Sequence, residues 1–305
     1  MSKRAHFLRS LALGALALLT TGAKAPPPDT ERIVDASTGH TVTATINGRP
    51  MKLRVELDSL DWIRLNTAAA ARAGLDGSMI HGGQQIGSVK FKFDTSVTRV
   101  RLGTLNEKRR IVWYDRDVIA GPADGIISPS LLPENRVTLR FHQPVPGERT
   151  IELDLDHSRI RGLRHKIEVG DQIVWVNFSP PHPLSIATAA AGAHLAEMRD
   201  GHWTGPPQPV LIELGIERPG RPMELRKPLD IGGLLSRDFL VRTADYRGSF
   251  QLPPDQEADP DEIVITGKTS KGRAQLWLTL GKDALGGCSS ITHDKKREML
   301  TLHCL

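Results

Sequence analysis

One plan occurs twice in this chain, and a repeated unit constrains the fold more than any single motif does. In the first copy Leu53, Val55 and Leu57 alternate with Lys52, Arg54 and Glu56, the period of two expected of a half-buried strand. That strand ends at Asp58-Ser59. An alanine-rich helix follows from Asn66-Thr67, residues suited to an N-cap, and Gly74 is placed to stop it. In the second copy Gln172 to Asn177 reads as a strand, and Leu184-Ser185 leads into an alanine-rich helix over Ala187 to Leu195. Seven positions separate Asp58 from Leu65, and seven separate Asn177 from Leu184, which sets Asn177 at the second-copy place of Asp58. The segment Asp124 to Leu132 is echoed by Asp230 to Leu240, and more weakly by Gly281 to Leu285.

Short alternating runs fill the remainder. Thr41 to Ile46 and Met51 to Leu57 flank Asn47-Gly48, a strong two-residue hairpin signal. Val89-Phe91-Phe93, Thr98 to Leu102, Arg110 to Trp113, Val137 to Phe141 and Thr150 to Leu155 read as further strands. The expected fold is therefore mainly β and barrel-like, with short embedded helices.

Residues 1–25 carry a basic start (Lys3, Arg4, Arg9), an apolar run from Leu11 to Leu19, and Ala23-Lys24-Ala25 before a proline run. These are the three regions of a secretory signal peptide, and the apolar run is too short to span a bilayer. The implied location is periplasmic or secreted. The remaining divisions expected are 26–163 and 164–254 for the two copies, then an acidic linker and C-terminal β segment over 255–305. Whether 263–305 completes the second copy is left open by the sequence.

The net charge of +5 falls to +1 once the four basic residues of the signal segment are set aside, leaving 36 basic and 35 acidic residues. Clusters such as Lys108-Arg109-Arg110 lack interleaved aromatic residues for base stacking, so no nucleic-acid partner is expected. No later stretch reaches transmembrane length. The only two cysteines, Cys288 and Cys304, are expected to form a disulfide in an oxidising compartment, contributing about 3 kcal/mol in the chain-entropy picture. Two cysteines make no zinc site and no H-E-x-x-H spacing occurs, so neither metal nor cofactor is expected. The chain also lacks a nucleophile elbow, a phosphate-binding loop and a dinucleotide fingerprint.

A strand ending in Asp58-Ser59, the helix end Ala70-Ala71-Arg72-Ala73-Gly74-Leu75, a Gly-rich hairpin and Asp124-Gly125-Ile126-Ile127 with Leu131-Leu132 resemble the aspartic proteases. Within them the retropepsin-like and bacterial periplasmic group is the nearer match. The resemblance implies two pepsin/retropepsin-like β-barrel lobes, with the disulfide-closed C-terminal β segment in addition. It implies that Leu57-Asp58-Ser59 is the catalytic turn, His81 to Gly87 the flap, and Asp124 to Leu132 the segment crossing behind the turn. The departures are specific. Leu60 and Ser128 stand where the family has glycine, and Asn177 takes the place of the second aspartate.

Aspartic proteases hold a water between two carboxylates that share one proton, one acting as base and the other as acid. An asparagine cannot exchange that proton. The first expectation is thus an exported, degenerate aspartic-protease-like protein that binds peptide or unfolded protein in an interlobe cleft. The alternative is an active periplasmic aspartic endopeptidase using Asp58, with Asp61 or another subunit supplying the second carboxylate. A structural envelope protein is the third reading. The oligomeric state is not legible in the sequence.

Overall fold

The computed structural model describes residues 29–77, 81–86, 89–115, 119, 121–158, 161–244, 252–253 and 275–305. The expected signal peptide, the acidic linker and the strand at Ile263 to Ile265 lie outside them.

In chain order, β1 (Glu31–Asp35) precedes β2 (Thr41–Ile46) and β3 (Arg49–Val55). The β2–β3 turn is Asn47-Gly48, with φ of 49° and 81°, the left-handed pair such a hairpin requires. β4 (Ile63–Leu65) and α1 (Thr67–Arg72) lead to β5 (His81–Ile86), β6 (Val89–Leu102), β7 (Leu105–Tyr114) and β8 (Gly125–Ile127). After β9 (Arg136–Arg140), β10 (Arg149–Asp154) and β11 (Asp156–Ser158) come β12 (Gly162–Val169), β13 (Gln172–Phe178) and β14 (Ile186–Ala187). Next are α2 (Ala189–Arg199), β15 (Gly201–Trp203), β16 (Gln208–Leu211), β17 (Glu217–Ile231) and β18 (Leu234–Arg242). The chain closes with β19 (Trp277–Leu280), α3 (Lys282–Leu285), β20 (Cys288–Asp294) and β21 (Met299–Cys304). The mainly β architecture expected from the period-two runs is observed.

Three sheets result. The first runs β2-β3-β8-β4-β7-β6-β5, and a further β2–β6 pairing closes six of its strands into a barrel. The second runs in the same sense: β3 pairs parallel with β8, β8 antiparallel with β4, and β4 parallel with β7, while β13–β19, β19–β14 and β14–β18 repeat that sequence of directions. Each sheet has its alanine-rich helix packed on it. Small side chains let the helix backbone approach closely, and Ala69, Ala70, Ala191 and Ala193 are buried. The third sheet, β1-β9-β20-β21-β10, is assembled from three separate parts of the chain. Within it Cys288 lies opposite Cys304 and the two form the expected disulfide.

β19 sits inside the second sheet, between β13 and β14. Its position corrects the echo assigned to Asp230 to Leu240. That stretch is a hairpin end, with Asp230 opposite Leu235 and Gly233 N–H donating to Asp230 Oδ1 at 2.6 Å. The counterpart of β8 and its following turn at Pro129–Leu131 is β19 followed by α3.

A strand threaded between two others tolerates little bulk where backbones cross. A Cβ placed on Gly125 would lie 2.5 Å from Arg64 O and 2.6 Å from Leu65 Cδ2. Gly125→Ala is therefore expected to destabilise the protein by about 1–3 kcal/mol, the usual cost of overpacking, as read from denaturant unfolding.

Candidate functional site

The ladders of the two sheets align the turns that follow β3 and β13. Val55 pairs with Ile127 and Phe178 with Leu280; one step further, Glu56 N–H donates to Ile127 O and Ser179 N–H to Leu280 O. Arg64 opposite Ile126 matches Ile186 opposite Thr279 on the far side of each turn. Asn66 and Thr188 then match as the helix N-caps. Counted forward from the strand, Asp58 is level with Pro181; counted back from Arg64 and Ile186, it is level with Pro180. The second turn is one residue shorter, with seven positions from Ser179 to Ile186 against eight from Glu56 to Arg64.

This register moves Asn177 away from the place the spacing assigned to it. Asn177 lies within β13 opposite Thr279, level with Arg54 rather than Asp58. It is buried, and its Oδ1 has no hydrogen-bond partner among the described residues. The physical reason for the offset is that β13 runs on past Asn177 to Phe178, with Ser179 N–H still bonded to Leu280 O, so the turn begins later than the spacing implied. The second helix accordingly starts at Ala189, two residues after the expected Ala187, with Thr188 as its N-cap, whose hydroxyl accepts from Ala191 N–H.

Asp58 stands on the turn after β3, half-buried, beside the buried Ser59. Ser59 N–H closes the turn on Glu56 O at 3.3 Å, and Trp62 N–H on Leu60 O at 2.8 Å. Asp61 points elsewhere: its Oδ2 meets His157 Nε2 at 2.8 Å, on β11. In the second half Asp283 accepts from Ser185 N–H at 2.8 Å and from Ser185 Oγ at 2.7 Å, and its own N–H donates to Pro183 O at 3.3 Å. It ties that turn to α3. Cys288 and Cys304 belong to the third sheet and serve its closure.

Sequence reasoning missed Glu56. Strand alternation put it on the solvent side with Lys52 and Arg54, yet it is 8% exposed. It lines a cavity of about 450 Å³ together with His40 and Phe141 from its own half and Pro180, Pro181 and Lys282 from the other. The acidic density of Glu56, Asp58 and Asp61 within six residues was the available signal. Burial pushes the Glu56 carboxyl above its ordinary range, and the neighbouring Asp58 charge pushes it further. Arg54, whose Nε donates to Glu56 Oε1 at 2.6 Å, and Arg64 act in the opposite direction without cancelling the rise. At the far wall His40 contacts Arg140 O at 3.1 Å, and burial lowers its pKa.

Chemically, the turn region can present one carboxylate held by a rigid strand end, and a second that favours its proton. Among the described residues no group of three His, Cys, Asp or Glu side chains converges to hold a metal ion, and no helix is long and apolar enough to cross a membrane.

No protein-family model matches the chain, and no curated protein sequence matches it. Among solved structures it is similar to the protease of EIAV, at 20% identity over 30% of this chain and 82% of that one, with a TM-score of 0.24. It is similar to a retropepsin-like aspartic protease from Rickettsia conorii, at 17% identity over 30% of this chain and 65% of that one, TM-score 0.23. An aspartic proteinase from Irpex lacteus matches at 11% identity over 87% of this chain and 93% of that one, TM-score 0.41. These are distant likenesses of fold, and nothing about activity follows from them.

An acid whose folded pKa is raised contributes stability that is full below its unfolded value and is lost as pH rises through the folded one. For Glu56 that window begins near the ordinary value of 4.5 and extends upward. Glu56→Gln is expected to raise the melting temperature at about pH 7 and to lose that advantage near pH 4, as followed by thermal melts across the range.

Proposed function

We propose that this is an exported aspartic-protease-like protein in which a single unit was duplicated, and in which the second turn no longer supplies a catalytic carboxylate. It binds peptide or unfolded protein in the cleft between its two halves. The observation that carries this reading is the level of Pro180 and Pro181 with Asp58. Proline has no proton to exchange, so the acid–base cycle of a carboxylate pair cannot be completed across the cleft.

A second reading is favoured by Glu56. A carboxyl that favours its proton beside a second carboxylate is the pairing that splits acid and base roles, here within one half of the molecule. In that case Glu56 acts as the acid and Asp58 as the base of an endopeptidase. A purely structural envelope role would need neither peptide capture nor cleavage.

One experiment separates these readings. Unfolded casein is incubated with the protein, and with Asp58→Asn and Glu56→Gln variants, from about pH 3 to pH 7, a span covering the range over which a carboxylate pair titrates. The expected result is no cleavage by any form, together with retention of casein peptides on immobilised protein. Acid-range cleavage blocked by pepstatin and abolished by both substitutions would establish the endopeptidase instead. Neither cleavage nor retention would leave the structural role.

A further inference from the structure

The segment Ile212 to Ile216 joins β16 to β17, and Leu211 pairs with Glu217 at its base. Its ends are closed by Ile212 N–H donating to Ile216 O at 2.7 Å. Hairpin ends normally lie on the surface, and residues there face water. Leu214 and Ile216 do not: they are only 5% and 6% exposed. They are buried against the first sheet, in one cluster with Phe91, Val112 and Tyr114, and with Trp62, Phe93 and Ile212 at its margin. The rings of Phe91 and Phe93 meet Tyr114 edge-on, at centroid separations of 6.2 and 5.9 Å. Trp62 lies four residues beyond Asp58, so this cluster abuts the turn described above.

Two features mark the contact as more than packing. Leu214 holds φ 60° and ψ 30°, a left-handed backbone that leucine adopts only at a cost. The strain offsets part of what burying its side chain contributes. The occupant is also a peptide, so the aromatic face beneath it has the shape and polarity to accept aliphatic side chains two residues apart. Without it, a contiguous apolar patch would face solvent, the usual mark of a binding surface.

We infer that the β16–β17 tip is an intramolecular occupant of a peptide groove on the first sheet. When vacated, this groove takes an incoming peptide that presents branched aliphatic side chains at alternate positions. This rests on the peptide-binding reading above and adds to it the class of ligand and the contact that competes with it. The tip holds the groove closed until a stronger peptide displaces it.

The test uses two variants of the full chain. In the first, residues 212–216 are replaced by Asn-Gly, which closes a two-residue hairpin between Leu211 and Glu217. In the second, Leu214→Gly removes the inserted side chain at a backbone angle glycine accepts freely. A fluorescent peptide with the sequence of residues 210–218 is titrated into each, with anisotropy as the readout. If the tip fills the groove in more than nine molecules of ten, both variants bind at least about tenfold tighter than the unaltered protein. The same peptide with aspartate in place of Leu214 should not compete. A cooperatively folded variant that binds no tighter overturns the inference, and so does failure of both variants to fold, since the tip would then be a structural strap. If the unaltered protein retains casein peptides while the variants gain nothing, only the competing role of the tip falls. If no form takes up any peptide, the binding reading falls with it.

Discussion

Threading one strand between two others that follow different chain directions is the constraint on which this molecule depends. β8 lies between β3 and β4, parallel to one and antiparallel to the other, and β19 does the same between β13 and β14. At the crossing the backbones approach so closely that a side chain has no room. Gly125 meets that demand against Arg64 O in the first sheet. In the second, Gly281 follows β19, and a Cβ there would lie 2.4 Å from Leu184 O. The turn bearing Asp58 and the turn bearing Pro180 and Pro181 both leave strands pinned by these crossings. Their positions follow from the sheet ladders.

Once the turns are fixed, their residue types decide the electrostatics. Asp58 stands on the turn after β3, and the equivalent level of the second sheet is a proline turn. The carboxylate that does feel it is Glu56, two residues back along the same strand. Glu56 lines a cavity walled by residues of β9, the proline turn and α3. Burial there is the first cause of its raised pKa, and the charge of Asp58 adds to it.

Local signals were legible: period-two runs became strands, Asn47-Gly48 became the expected turn, the alanine-rich stretches became α1 and α2, and the two cysteines paired. What failed was register across the second turn. Equal spacing from Asp58 to Leu65 and from Asn177 to Leu184 looked like alignment, but β13 continues past Asn177, so turn and helix both come later, and the counterpart of Leu65 is Ala187. The strand at Trp277–Leu280 fell within the expected C-terminal β segment but was not legible as an inner strand of the second sheet, since more than thirty residues separate it from β18. Contacts made across the two halves leave no periodic trace, which is why neither Glu56 nor Leu214 stood out.

The first sheet needed closing, and the chain closes it twice. The β2–β6 pairing turns six strands into a barrel and leaves β5 as an outer strand beside β6. The β16–β17 tip then covers the aromatic face formed by β6 and β7, at the cost of an unfavourable leucine backbone. Had the contact served stability alone, glycine or asparagine at position 214 would relieve the backbone, and the tip would still supply Ile216 to the cluster. The Leu214 side chain is buried in the cluster with the aromatic face beside the Asp58 turn. On the proposed reading, an aliphatic segment placed there from within the chain competes with incoming peptide, and the outcome is set by the difference between apolar burial and backbone strain.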